Sequence, residues 1–163
     1  MPNRLSTIAE ELKQSRPFAT TAEEALVSVL RSAAVLRHAL GQQLDRFGLS
    51  LAQYNVLRIL RGAGVDGLPT LAVRARLVEE APGITRLIDK LESATLVRRD
   101  RSGKDRRTVR CHITPAGLAL LAQADEQVHA VQEIVANGLP NEADRIALVE
   151  LLARVRAAVS ARV

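Results

Sequence analysis

The chain has 163 residues, 47% hydrophobic and 25% charged, which is the size and balance of one globular domain with a real core. Aromatic residues are only 2% (Phe18, Phe47 and Tyr54), too few for platforms that stack single-stranded bases, and the single cysteine, Cys111, excludes an intramolecular disulfide. The net charge is +5, and all of it lies between Arg74 and Arg110, where eleven basic residues meet six acidic ones; the twelve of each sign elsewhere cancel.

In chain order, Thr7 to Glu10 has the capping-box pattern of a short helix that Pro17 would stop. A long helix is predicted from about Ala22 to Phe47. It carries Leu26, Val29, Leu30, Ala33, Leu36, Leu40 and Leu44 at spacings of three and four, and Gly48 ends it. Ser50 to Gln53 is a second capping box, flanked by Leu49 and Tyr54 as a hydrophobic staple. The helix it opens buries Val56, Leu57 and Leu60 and stops at Gly62-Ala63-Gly64. Gly67-Leu68-Pro69 reads as a turn or short strand. A helix near Thr70 presents Leu71, Ala72 and Ala75 as its apolar residues.

Pro82 suits the first turn of the next helix, since its missing N–H is not needed there. Ile84, Leu87, Ile88 and Leu91 form the buried face of that helix; Thr85, Arg86, Asp89 and Lys90 form the outer one. Glu79 and Glu80 precede it, where Ser, Asp or Asn would cap better. Leu96–Arg101 and Thr108–Thr114 then read as a hairpin with Ser102-Gly103 at its turn. Val109, Cys111 and Ile113 alternate with Arg110, His112 and Thr114 as in a half-buried strand. Thr114-Pro115 opens a long helix with Leu118, Leu121, Ala124, Val128, Val131 and Val135, ended by Asn137-Gly138. Asn141 caps a last helix with Ile146, Val149, Leu152, Val155 and Val159.

Two short helices joined tightly, then a basic hairpin, make a helix-turn-helix followed by a wing. That order, together with the concentrated positive charge, points to double-stranded DNA. A solvated, salt-bridged surface would explain the charge but not the order of elements. The helical arms on either side carry long apolar stripes; a stripe that one copy leaves uncovered is a natural dimer interface, and arms packed on each other are the alternative.

Four motifs in this order resemble the MarR family of bacterial winged-helix transcription regulators: I-T-R-L-I-D-K-L-E from Ile84, L-V-R-R-D from Leu96, K-D-R-R from Lys104, and I-T-P-A-G from Ile113. The similarity spans about Ala22 to Val159. The fold it implies is mainly α with a small β-hairpin wing, a winged helix-turn-helix domain at 48–114 between dimerisation helices at 1–47 and 115–163. It also implies a homodimer that places one recognition helix per subunit in the major groove and the wing in the minor groove. The expected activity is that of a repressor released by a small phenolic or lipophilic ligand, with no cofactor. Carried over residue by residue, Pro82, Gly83, Thr85, Arg86 and Lys90 in the recognition helix and Lys104, Arg106 and Arg107 in the wing are DNA-binding, and Asp105 braces the wing through an arginine. Either Arg106 or Arg107 enters the minor groove. The chain departs from the family at Glu79-Glu80-Ala81-Pro82-Gly83, where many members have Ser or Asp-Pro-Ser, so base reading rests more on Thr85 and Arg86.

Other constellations are weaker. Cys111 shares the apolar face of its strand with Val109 and Ile113, as a buried structural thiol does. His38, His112 and His129 are scattered and lack the pairing of a zinc site. Gly62-Ala63-Gly64 lacks the tail of a phosphate loop, and no nucleophile elbow or metalloprotease motif appears, so an enzyme is not expected. Without a continuous apolar leader or span near the N-terminus, the expected location is the cytoplasm. A winged-helix protein-interaction module and a nonspecific architectural DNA-binding protein are the alternative functions.

Overall fold

The computed structural model describes residues 7–79, 83–100 and 109–162. The chain divides into two compact units, Met1–Gln42 and Gln43–Val163. The first holds α1 (Thr7–Glu11) and most of α2 (Thr21–Asp45). α1 ends well before Pro17. Lys13 takes a left-handed conformation (φ 51°), and the N–H groups of Lys13 and Gln14 return to the carbonyls of Glu10 and Ala9. That pair of bonds is a Schellman stop, which satisfies the last carbonyls of the helix without proline.

α2 begins one residue earlier than expected because Thr20 caps it. The Thr20 hydroxyl accepts from the Glu23 N–H at 3.1 Å, while the Glu23 carboxylate accepts from the Ala19 N–H at 2.9 Å. Along α2, Leu26 and Leu30 are about 60% exposed, and Val29, Val35 and Leu36 are exposed too. Only Leu44 is buried. The helix stops two residues before Phe47, at a second Schellman motif. Gly48 sits at φ 65°, and Leu49 donates to the Leu44 carbonyl.

The second unit contains α3 (Leu51–Gly62), a 3-10 turn (Gly64–Asp66), β1 (Leu68–Pro69), α4 (Thr70–Arg74), α5 (Ile84–Ser93), β2 (Val97–Asp100), β3 (Arg110–Ile113), α6 (Pro115–Gly138) and α7 (Glu142–Ser160). The Ser50/Gln53 capping box forms in both directions, and Leu49 and Tyr54 are buried beside it, as a staple requires. α3 is the centre of the core. Its Val56, Leu57 and Leu60 are sealed against α4, α5, α6 and β3 together with Val73, Ile88, Leu91 and Leu121. At about 25 cal/mol per Å2 of buried apolar surface, each such side chain contributes roughly 1.5–3 kcal/mol.

Two expectations need correction. α4 buries Val73, while Leu71 is 73% exposed and Ala75 is exposed. The five-residue helix is too short for its apolar spacing to tell which face turns inward. Asn141 does occupy the N-cap of α7, but its side chain makes no capping bond and instead donates to Asp144 at 3.1 Å.

The hairpin is part of a three-stranded antiparallel sheet in the order β1-β3-β2, with Leu68 opposite Cys111 and Arg99 also opposite Cys111 on the other side. Gly67 permits this. It has φ 57°, and a side chain there would strike the Cys111 carbonyl and the His112 ring. Gly117, at the start of α6, lies so close to the Leu96 carbonyl and the Ile113 side chain that a Cβ would not fit. Thr114 completes this junction. Its hydroxyl accepts from the Gly117 N–H and donates to the Thr95 carbonyl. No described helix is long and apolar enough to cross a membrane.

Candidate nucleic-acid interface

α5 is amphipathic in the plain sense that its inward residues Ile84, Ile88 and Leu91 are buried. Thr85, Arg86, Asp89 and Lys90 stand exposed on the other side. Gly83 is its N-cap and supplies no side-chain acceptor, so the first-turn N–H groups receive no capping bond from it. Arg86 and Lys90 are one turn apart. Among the described residues, neither side chain makes a hydrogen bond or an ion pair. Pro82, Lys104, Asp105, Arg106 and Arg107 lie outside the described residues.

The helix ends in a third Schellman motif. Thr95 adopts φ 60°, an uncommon and strained conformation for a β-branched residue, and Leu96 donates to the Leu91 carbonyl. The Thr114 hydroxyl bond to the Thr95 carbonyl, 2.7 Å long, helps hold it there. α5 is thereby tied to both the sheet and α6.

A second tie went unread in the sequence. Arg99 of β2 lies along α5, with Nη2 2.6 Å from Asp89, Nη1 2.7 Å from Glu92 and a longer bond to the Thr85 carbonyl at 3.4 Å. Its own backbone N–H donates to Glu92 at 3.0 Å. Burial alone would lower the Arg99 pKa, but the two carboxylates outweigh it and raise it. The signal was present, because acids at 89 and 92 sit three residues apart on a helix followed by Arg98-Arg99. Which arginine turns toward the helix depends on strand pairing. Arg98 points elsewhere, to Asp100 at 3.3 Å. Arg110, on β3, holds the turn before β1 through bonds to the Asp66 and Gly67 carbonyls at 2.8 and 3.2 Å.

Behind this surface, α3 and α6 share a polar clasp. The buried Tyr54 hydroxyl donates to Asp125 at 2.7 Å, Arg61 pairs with the other carboxylate oxygen, and Arg58 lies 5.7 Å from the Tyr54 ring centre. Burial and the Asp125 contact push the Tyr54 pKa up to about 12. Burial alone would raise Asp125, but the bonds from Arg61 and Tyr54 hold it below its ordinary value. The stability from Tyr54 is therefore full below the unfolded phenol pKa of about 10 and is lost as pH rises toward 12. The stability from Asp125 is full above about pH 4 and is lost as pH falls through its depressed value. Tyr54→Phe is expected to cost about 1 kcal/mol near neutral pH. It should also flatten the alkaline decline of the melting temperature; a variant whose alkaline decline matched the wild type would remove Tyr54 as its source.

Cys111 is buried, with its sulfur 3.6 Å from the Thr70 hydroxyl oxygen. His129 faces Gln132 and Glu133 on the surface of α6. Among the described residues, no group of three His, Cys, Asp or Glu side chains is placed to hold a metal ion.

No protein-family model matches the sequence. A MarR transcription factor from Planctomyces limnophilus, solved by crystallography, is 34% identical. The alignment covers 85% of this chain and 99% of that one, with a TM-score of 0.64. The chain belongs to the MarR family. It is therefore a transcriptional regulator of the winged-helix type, from a family of transcription factors and not of enzymes. The MarR-family likeness extends to the HTH-type transcriptional regulator PecS of Dickeya dadantii, 27% identical over 155 residues that cover 93% of this chain and 92% of PecS. A putative transcriptional regulatory protein for the hcr operon of Thauera aromatica is 29% identical over 108 residues, 66% of this chain; the chain spans 63% of that relative's length. Two solved structures share the fold. CouR, a transcriptional repressor bound to a 23-mer DNA duplex, is 24% identical with a TM-score of 0.74, covering 88% of this chain and 99% of CouR. Bordetella bronchiseptica BpsR, whose DNA binding is regulated by 6-hydroxynicotinic acid, is 25% identical with a TM-score of 0.71, covering 82% of this chain and 99% of BpsR.

Proposed function

We propose that the chain is a homodimeric repressor that binds a specific double-stranded operator and is released from it by a small phenolic or lipophilic ligand. One observation carries this reading. A helix whose exposed Arg86 and Lys90 side chains have no partner among the described residues packs against the sheet strand β2, in the segment that holds the whole net charge of +5. Phosphate contacts from that segment give affinity, and side chains at base edges give selectivity. Thr85 and Arg86 are the base readers, and Arg is the commonest reader of guanine. Gly83, with Pro82 before it, leaves first-turn N–H groups for a phosphate, and Lys90 lies one turn further on. Lys104, Arg106 and Arg107 carry the wing contacts and Asp105 the brace within it. Residues 48–114 form the DNA-binding domain, and 1–47 and 115–163 form the dimerisation arms, whose apolar stripes on α2 and α7 are exposed in the single chain. CouR on its duplex and BpsR with its small-molecule control support the two halves of the proposal by likeness. The protein works in the cytoplasm, where its DNA is.

Fluorescence anisotropy with the chain's own upstream DNA, against a scrambled duplex of equal composition, tests this at two salt concentrations. Tight, salt-dependent binding that prefers the upstream DNA supports a site-specific regulator, and phenolic compounds should then lower it. No binding even at low salt would leave an interaction module as the better reading. In the same assay, Arg106→Ala combined with Arg107→Ala is expected to weaken binding to every sequence and to reduce the salt slope by about 2 per subunit. An unchanged slope would take the wing out of the footprint.

A further inference from the structure

We propose that Arg99 is a positioning residue for DNA reading: by holding Asp89, it keeps Arg86 available to the duplex. The inference rests on the DNA-binding reading above and concerns residues of the same helix. Asp89 lies three positions after Arg86, and residues at that spacing are neighbours on a helix surface. An unoccupied carboxylate at 89 would be a near anionic partner for Arg86 and would compete with phosphate and guanine for it. In the structure that carboxylate is already taken, by Arg99 at 2.6 Å. Arg86 has no partner among the described residues.

The geometry suits this task. Thr85, Asp89 and Glu92 follow one another at i, i+4 and i+7, so they form one stripe of α5, and Arg86 and Lys90 form the adjacent stripe. Arg99 lies along the first stripe and touches all three of its members. A planar guanidinium can do this because its donors diverge in a fixed fork; a lysine ammonium would satisfy one carboxylate at a time. Arg99 is itself 23% exposed, against 52% for Asp89. It is pinned from the sheet side by its strand and by the Glu92 bond to its backbone N–H. The pair therefore leaves the outer stripe clear.

The test uses the full chain and the duplex that the wild-type chain selects from a randomised DNA pool, read by anisotropy over a salt series, with circular dichroism and thermal melts as controls. Arg99→Gln is expected to weaken binding to that duplex roughly tenfold and to lower its preference over scrambled DNA, as Asp89 claims Arg86. Adding Asp89→Asn to the same chain should restore affinity to within about threefold of wild type, since the competing charge is gone. A purely structural role for Arg99 would lower the melting temperature of Arg99→Gln, and Asp89→Asn would not bring the affinity back. A folded Arg99→Gln that binds like wild type, or a double variant that stays tenfold weak, overturns the proposal. Should Arg99→Gln alone fail to fold, the double variant decides by the same threshold. A wild-type chain that selects no DNA sinks the regulator reading itself, whereas selection by wild type with an indifferent Arg99→Gln sinks only this inference.

Discussion

Arg86→Ala is expected to erase the preference for operator over scrambled duplex while leaving the fold unchanged. The side chain is exposed and makes no contact with the described core, which on this helix consists of Ile84, Ile88 and Leu91. Alanine is the best helix former, so the substitution should not unwind α5. What is lost is a planar, charged donor on the exposed side of the first helical turn. A good bidentate contact discriminates one base from another by about 1–3 kcal/mol. A two-fold dimer uses it twice, so the two half-sites together should lose about 2–6 kcal/mol of discrimination. The residual binding should remain salt-dependent, because most phosphate contacts are untouched. The ratio of operator to scrambled affinity at one fixed salt concentration is the decisive measurement. A retained ratio would move base reading to Thr85 or away from α5 altogether.

Leu151→Glu together with Val155→Glu should give a folded monomer that binds operator at least about a hundredfold more weakly. α7 has no buried residue in the single chain, and Leu148, Leu151, Val155 and Val159 are all exposed along it. Four large aliphatic side chains on one stripe are not what a free helix keeps in water. Two added carboxylates cost little where the side chains already meet solvent. They cost several kcal/mol where a second copy would remove that solvent. The same substitutions should therefore leave the circular dichroism spectrum in place and shift the mass measured by sedimentation equilibrium from two chains to one. A monomeric wild type would overturn the dimer, and a variant that remains dimeric would place the interface off this stripe.

Much of the fold was legible because it rests on local chemistry. Ser50 and Gln53 make the capping box their spacing promised, Gly48 stops α2, and Thr114-Pro115 opens α6. Each depends on groups within a few residues of one another, so no tertiary knowledge was needed. The buried and exposed faces of α5 were also readable, since ten residues give the helical period enough turns to show. α4 failed for want of length: five residues did not reveal that Val73 and not Leu71 turns inward. The Schellman stop at Lys13 failed for another reason, because a lysine in a left-handed conformation carries no compositional mark.

The sequence by itself determined the order of elements, the place of the net charge and, through four motifs, the family. These are properties of the chain taken in short windows, where capping, helical period and charge are additive. Only the tertiary structure decided that β1 joins the hairpin, that Gly67 and Gly117 sit where no side chain fits, and that Arg99 and not Arg98 reaches Asp89 and Glu92. It also joined Tyr54 to Asp125, 71 residues away in the chain. Pairing register and helix docking set these contacts. Both depend on which distant surfaces bury each other, and no window of the sequence contains both partners.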